Sequence, residues 1–409
     1  MKKFIFLSFA FIYILKCNSQ TITNYSTFDG LINDYVECVA VDNNDNIWFG
    51  TAAGISMFDG NNWTSYSQSS DPQMLSNDIK AITVASNGDV WVGTDYGANK
   101  LVLGSTGGTW TSHTILTGLA NNKITSIDEA PNGNLWFSHS SFQAGVSMFD
   151  GNNWISYNSP DLPPSGVCET SFDANGDKWF ASPLDGLVHF DGANFTQYTV
   201  ADGLVSNYST SICIDDYGHK WLGSGSGMSQ LSNSVTLHTQ MYLLPPPDTL
   251  NPVVDIVKDS YNRVWTTIYV GYLAVGGVAY WNGQQWNDFD QSDGIAGQNV
   301  RGLAIDSYNN VWIATSTGVS KISAIPNSIE NIIDLDSKII YNTFEKKITL
   351  EINNKSLRSF NIYNNLGAKV FSSYDLSKTN FNISNLKKGV YYVSIGIGDS
   401  FVNKSIVIH

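Results

Sequence analysis

The 409-residue chain predicts an all-β fold: a seven-bladed β-propeller closed by its N-terminal strand, followed by a small C-terminal β-sandwich. Three observations carry this: the composition, a tryptophan that recurs at a near-constant interval, and a match between the two ends of the repeat region. Apolar residues make up 42% of the chain and charged residues only 14%, with 35 Gly, 20 Tyr, 20 Phe and 12 Trp. That is too apolar for a disordered chain, and aromatic residues and glycine favour strands and turns over helices.

The recurring residue is Trp48, Trp91, Trp136, Trp179, Trp221, Trp265 and Trp312, at spacings of 43, 45, 43, 42, 44 and 47 residues. A turn signal precedes each, from Asn44-Asp45-Asn46 and Asn87-Gly88-Asp89 to the looser Tyr261-Asn262-Arg263 and Tyr308-Asn309-Asn310. In the first copy, strand-like runs cover residues 36–41, 47–51, 54–58 and 63–66, with Asp59-Gly60-Asn61-Asn62 turning the last pair. Four short strands in about 43 residues is the arithmetic of a propeller blade. One Trp at the same strand position in every copy could stack on sugars, but packing between neighbouring blades explains it better, since splayed sheets need wide side chains between them.

The seventh copy lacks a fourth strand, because residues 319–322 run straight into Ala324-Ile325-Pro326. The missing piece stands at the other end. Residues 22–25 followed by Asp29-Gly30-Leu31 match residues 195–198 followed by Asp202-Gly203-Leu204. An N-terminal strand that completes the last blade leaves no open sheet edge in the ring.

Residues 1–20 read as a secretory signal: Lys2 and Lys3, an apolar run over residues 4–15, then Cys17-Asn18-Ser19-Gln20. Cys17 raises a lipoprotein reading, but Lys16 occupies a place where such signals need a small residue. The net charge is −14, and removing the signal makes it more negative. The acidic excess falls before residue 326, so nucleic acid and anionic membrane are not expected partners. Cys38, Cys168 and Cys213 lie in β-branched runs and read as buried free thiols, with no metal spacing.

Runs such as Gly88-Asp89-Val90-Trp91-Val92-Gly93-Thr94, each with a following Gly and Asp-Gly, resemble the two-component-regulator propeller repeat. That family forms the periplasmic sensor region of hybrid histidine kinases and also occurs in stand-alone secreted proteins. No kinase follows here, so the signalling role is not expected to carry over. After a polar linker over residues 326–337, residues 338–409 change character: every tryptophan lies before them, and strand-like alternation appears at Ile348, Leu350 and Ile352. Residues 362–370 and 386–393, with the closing Lys404-Ser405-Ile406-Val407, resemble the type A C-terminal sorting domain of type IX secretion. The resemblance implies contact with that secretion machinery and a secreted or cell-surface location in a Gram-negative bacterium. An Ig-like spacer is the alternative for this tail.

No catalytic set, cofactor motif or metal site is visible. His113, His139, His189, His219, His238 and His409 are scattered over different repeat positions. Asp42-Asn43-Asn44-Asp45-Asn46 alternates oxygen ligands as calcium loops do, but it occupies the hairpin position of the other turns and reads as a turn. The expected function is therefore non-enzymatic binding by a monomer, through the loops after each second strand: Tyr96, Phe142, Asp185, Tyr269 and Tyr272. Aromatic faces with few charges suit a neutral glycan or a peptide. The rival expectation is a polysaccharide or lactone lyase, which needs His139 or His189 to meet acidic residues at the channel mouth.

Overall fold

The computed structural model describes residues 20–104, 107–159, 162, 164–232, 235–238, 252–269, 276–283 and 285–323. In the tail it describes residues 338–342, 347–351, 357–364, 369–373, 380–397 and 400–408. The proposed signal, the linker and Tyr272 lie outside the described residues. The chain divides into two compact units, Met1–Ile325 and Pro326–His409.

Seven antiparallel four-stranded sheets make up the first unit. Blade 1 runs Val36–Val41, Ile47–Thr51, Gly54–Phe58 and Trp63–Tyr66, each strand paired to the next. In the seventh blade the outer strand is Thr21–Tyr25, paired with Gly318–Ser323 from Thr21↔Ser323 to Tyr25↔Val319. The N-terminal strand thus closes the ring. It also brings core: Tyr25 stacks on Trp312 with ring centroids 5.7 Å apart.

The repeated tryptophans lie between blades. All seven are at most 6% exposed. Phe49 and Val36 of blade 1 pack in one cluster with Trp312 and Ala314 of blade 7, and Trp221 of blade 5 packs with Ile256 and Val264 of blade 6. Each blade shields the apolar face of its neighbour, and that burial is the driving force of the ring.

A buried indole needs an acceptor for its N–H. In five blades an aspartate six residues upstream supplies it: Asp42 to Trp48 at 3.3 Å, Asp173 to Trp179 at 3.1 Å, and Asp215, Asp259 and Asp306 to Trp221, Trp265 and Trp312 at 3.0 Å. The same carboxylates accept turn amides, as Asp42 does from Asn44 and Asn46 at 2.8 and 2.9 Å, so the oxygen-rich run 42–46 is a turn. Ala85 and Ala130 stand in this place in blades 2 and 3.

The loose turns have a reason too. The fourth turn residue is left-handed throughout, and Gly88, Gly133, Gly176 and Gly218 fill it in four blades. Asp45, Asn262 and Asn309 fill it in the other three, at φ near +60°. There the side chain reaches the preceding blade: Asp45 accepts from the Ser307 amide at 2.8 Å, Asn262 from Asp216 at 2.8 Å and Asn309 from Ser260 at 2.9 Å. Asn and Asp tolerate this backbone better than other non-glycine residues, and here they also join blades.

The tail holds a three-stranded sheet (Lys338–Asn342, Lys347–Glu351, Asn380–Asn382) and a four-stranded one (Lys369–Ser373, Leu357–Asn364, Gly389–Ile397, Ser400–Ile408). Buried Phe360 and Phe381 stack across the two sheets at 3.8 Å, giving a small sandwich.

Candidate functional site

The innermost strands of the seven blades enclose a channel of about 370 Å³. Their register shifts at Val36/Cys38, Ser209/Ser211, Val253/Ile256 and Val300/Gly302. A bulge re-aims the residue inside it. At these or equivalent positions Glu37, Lys80, Thr210 and Arg301 line the channel.

An innermost strand also has an unpaired edge whose amides need acceptors. Buried carboxylates supply them. Glu169 accepts from the Ile212 amide at 2.8 Å and Asp255 from the Leu303 amide at 2.7 Å, in each case on the next blade. Asp128 accepts from the Thr170 amide and, at 2.7 Å, from the Ser126 hydroxyl. Burial pushes Asp128 up to about 7, with the Asp255 charge adding to it, and pushes Asp255 up to about 6. Glu169 is held well above the carboxylate range by burial and by the charges of Asp128 and Asp255. The channel therefore holds a coupled acid set whose hold on protons burial strengthens. Burial likewise raises the Cys38, Cys168 and Cys213 thiols, the last two to about 12; all three are free, but only Cys213 is buried as expected, while Cys38 and Cys168 are half-buried in the channel wall.

At the mouth the charges cancel. Glu37 meets Arg301 at 2.7 Å and Lys80 at 3.4 Å, and Lys80 also meets Asp78 at 2.9 Å. The Arg301 guanidinium lies 4.5 Å from the Tyr35 ring and 5.6 Å from the Tyr269 ring. Of the residues expected to bind, Tyr269 thus sits at the mouth against a cation. Tyr96 and Phe142 project from the second-to-third-strand loops of blades 2 and 3, 63% and 76% exposed. Asp185 is engaged instead: it takes hydrogen bonds from the Ser165 amide at 3.3 Å, the Ser165 hydroxyl, and the Ser182 hydroxyl at 3.4 Å. It shapes its loop, and its neighbour Leu184, 65% exposed, presents the apolar surface there. Sequence reasoning missed Leu184, Glu37, Lys80, Arg301 and Tyr35. The signal for the charged three was available, since they occupy the same register position at the start of their first strands.

The described histidines do not converge. His139 is fully buried, with Nδ1 2.9 Å from the Lys123 carbonyl and Nε2 2.9 Å from the Ser147 hydroxyl, and burial lowers it to about 4. His189 stacks on Trp179 at 4.1 Å and bonds Asp177 at 2.9 Å, at the turn between first and second strands, away from the loop face. Asp173, Asp177 and His189 have ligand atoms within 4.8 Å of one another. Asp173 is already bonded to Trp179 and the turn amides, and the Lys220 ammonium stands 3.8 Å away, so the group reads as a blade joint.

Comparison with known proteins agrees with this architecture. The two component regulator propeller model matches residues 30–53, 73–96, 118–141 and 294–317, and the secretion system C-terminal sorting domain model matches residues 326–409. No curated protein sequence matches the chain. Among solved structures, the extracellular domain of a hybrid two component system from B. thetaiotaomicron is 20% identical with a TM-score of 0.63, over 95% of this chain and 60% of that one. PorZ, a surface component of the type-IX secretion system of Porphyromonas gingivalis, is 16% identical with a TM-score of 0.59, over 94% of this chain and 61% of that one. A catalytically inactive virginiamycin B lyase from Staphylococcus aureus with quinupristin is 14% identical with a TM-score of 0.59, over 74% of this chain and 99% of that one. This chain therefore spans about 60% of the length of the first two, and all three likenesses are of fold. No helix among the described residues is long and apolar enough to cross a membrane. With its repeats and its tail both matched, the chain is a seven-bladed propeller of the two-component-regulator type fused to a type IX C-terminal sorting domain, a secreted or cell-surface protein of a Gram-negative bacterium.

Proposed function

We propose that the protein is a non-enzymatic binding module whose loop face takes a glycan or a peptide. One observation carries this reading: Tyr96, Phe142 and Leu184 stand exposed at the same loop of three consecutive blades, on the face where the channel opens. Single exposed apolar residues are ordinary, but repetition at one loop position builds a surface. Beside it, the mouth offers Tyr35 and Tyr269 flanking a guanidinium whose charge Glu37 already balances. Aromatic faces with compensated charge favour neutral ring or backbone partners over ions. The lyase reading lacks such support, because His139 is enclosed and His189 meets its carboxylate on the other face.

The test is a glycan array and an envelope-peptide library probed with the mature full-length chain. A ligand bound by the wild type should bind at least tenfold more weakly, about 1.4 kcal/mol, to a Tyr96→Ala/Phe142→Ala double variant of unchanged thermal stability. Retention of nothing by the wild type, or undiminished binding by the variant, would count against the proposal.

A further inference from the structure

On the opposite face, between blades 3 and 4, lies a cavity of about 310 Å³ where the repeat breaks its own rule. Five blades place a carboxylate under the indole N–H of the repeated tryptophan. Blade 2 has Ala85 there but keeps a carboxylate in its turn, Asp89, which takes Lys100 at 2.6 Å and the Asn87 side-chain amide at 2.9 Å. Blade 3 has Ala130 in that place and Asn134 in the turn, so it is the one blade with a carboxylate at neither position.

The donors that serve such a carboxylate are nevertheless present. In blades 1 and 7 the side-chain amides of Asn46 and Asn310 donate to Asp42 and Asp306 at 2.8 and 2.7 Å, and Asn134 is their counterpart. In the next groove Lys220 stands over Trp179, 4.5 Å from its ring, and 3.8 Å from Asp173. Lys178 is the counterpart of Lys220, and it lies instead 5.8 Å from the Phe190 ring, with no carboxylate partner among the described residues. The Trp136 indole N–H, the Asn134 side-chain amide and the Lys178 ammonium therefore border one cavity with no protein acceptor among the described residues. Tyr157, stacked on Trp136 at 5.4 Å, and Phe190 add aromatic wall.

From this we propose that the groove between blades 3 and 4 binds a small organic carboxylate, whose anionic head takes the place of the aspartate that blade 3 lacks. The head would accept from Trp136, Asn134 and Lys178, and a ring-sized body would lie against Tyr157 and Phe190. Charge-assisted hydrogen bonds to a partly enclosed carboxylate are strong enough to select it over a neutral analogue. The site is independent of the loop-face proposal, since it uses other residues on the other face.

The experiment follows the indole N–H resonance of Trp136 in the mature full-length protein, assigned by its loss in Trp136→Phe. Benzoate and glucuronate are titrated beside the neutral benzyl alcohol and glucose. The expected result is a saturable shift with a carboxylate probe and none with its neutral counterpart. Lys178→Met should weaken that binding at least tenfold, and Ala130→Asp, which restores the carboxylate internally, should abolish it and move the resonance without ligand. Shifts of equal size with the neutral probes, no shift with either acid, or unchanged affinity in both variants would overturn the proposal. If Ala130→Asp does not fold, Lys178→Met alone decides.

Discussion

Alkalinity should weaken the ring, because its channel holds three carboxyls that bond to the next blade while buried. Asp128 rises from 3.8 to about 7 and Asp255 from 3.8 to about 6, while Glu169 is raised as well. A folded-state pKa above the ordinary value means that the folded chain binds more protons than the unfolded one between those values. Stability is then fully present below about pH 4 and is lost as pH rises through about 7. At about 1.36 kcal/mol per pKa unit, shifts of this size are together worth several kcal/mol. The three titrate as one set, so the combined loss between pH 4 and 8 is on the order of 4–7 kcal/mol. The assay is urea unfolding at several pH values across that range, comparing wild type with Asp128→Asn/Glu169→Gln/Asp255→Asn. The amides keep an oxygen for the Thr170, Ile212 and Leu303 N–H groups but carry no charge, so the variant should lose the downward slope and be the more stable protein at pH 8. Parallel pH profiles for the two proteins would refute the reasoning.

Three further outcomes are expected. Asp45→Gly should cost about 1 kcal/mol, the net worth of its bonds to Ser307, and Asp45→Ala about 1–2 kcal/mol more, because φ stays at 61°; urea midpoints separate the two. A Cβ on Gly93 would lie 2.5 Å from Ile124 Cγ2 of the neighbouring blade, so Gly93→Val should destabilise by roughly 1–3 kcal/mol, while Gly88→Asn, at φ 86° but in open space, should cost less in the same measurement, because only the backbone is strained and Asn tolerates it best. Deleting residues 20–25 should leave Gly318–Ser323 as an open edge and remove Tyr25 from Trp312; light scattering should show concentration-dependent association absent from the intact chain.

The fold was legible because a propeller is written locally. Trp48 and its six counterparts recur with the hairpin turns that set their register, and the orphaned outer strand announces itself by matching residues 195–198. Burial of an indole between radiating sheets depends only on that spacing. The candidate site was legible in part. Tyr96 and Phe142 are exposed as expected, because loop position alone places them on the face. Asp185 read as an available side chain and proved engaged by Ser165 and Ser182; His139 read as a hydrogen-bonded surface residue and proved hydrogen-bonded, to Ser147 and the Lys123 carbonyl, but fully buried.

What the amino-acid order settled by itself was periodicity: how many blades, where each turns, and which strand closes the ring. Only the tertiary structure decided which polar groups meet. Glu37 joins Arg301 across 264 positions, Asp255 reaches the Leu303 amide 48 positions away, and Lys178 meets a blade 3 that holds no aspartate for it. Hydrogen bonds and charges act over a few ångströms in space, and separation along a chain that closes on itself says little about that distance.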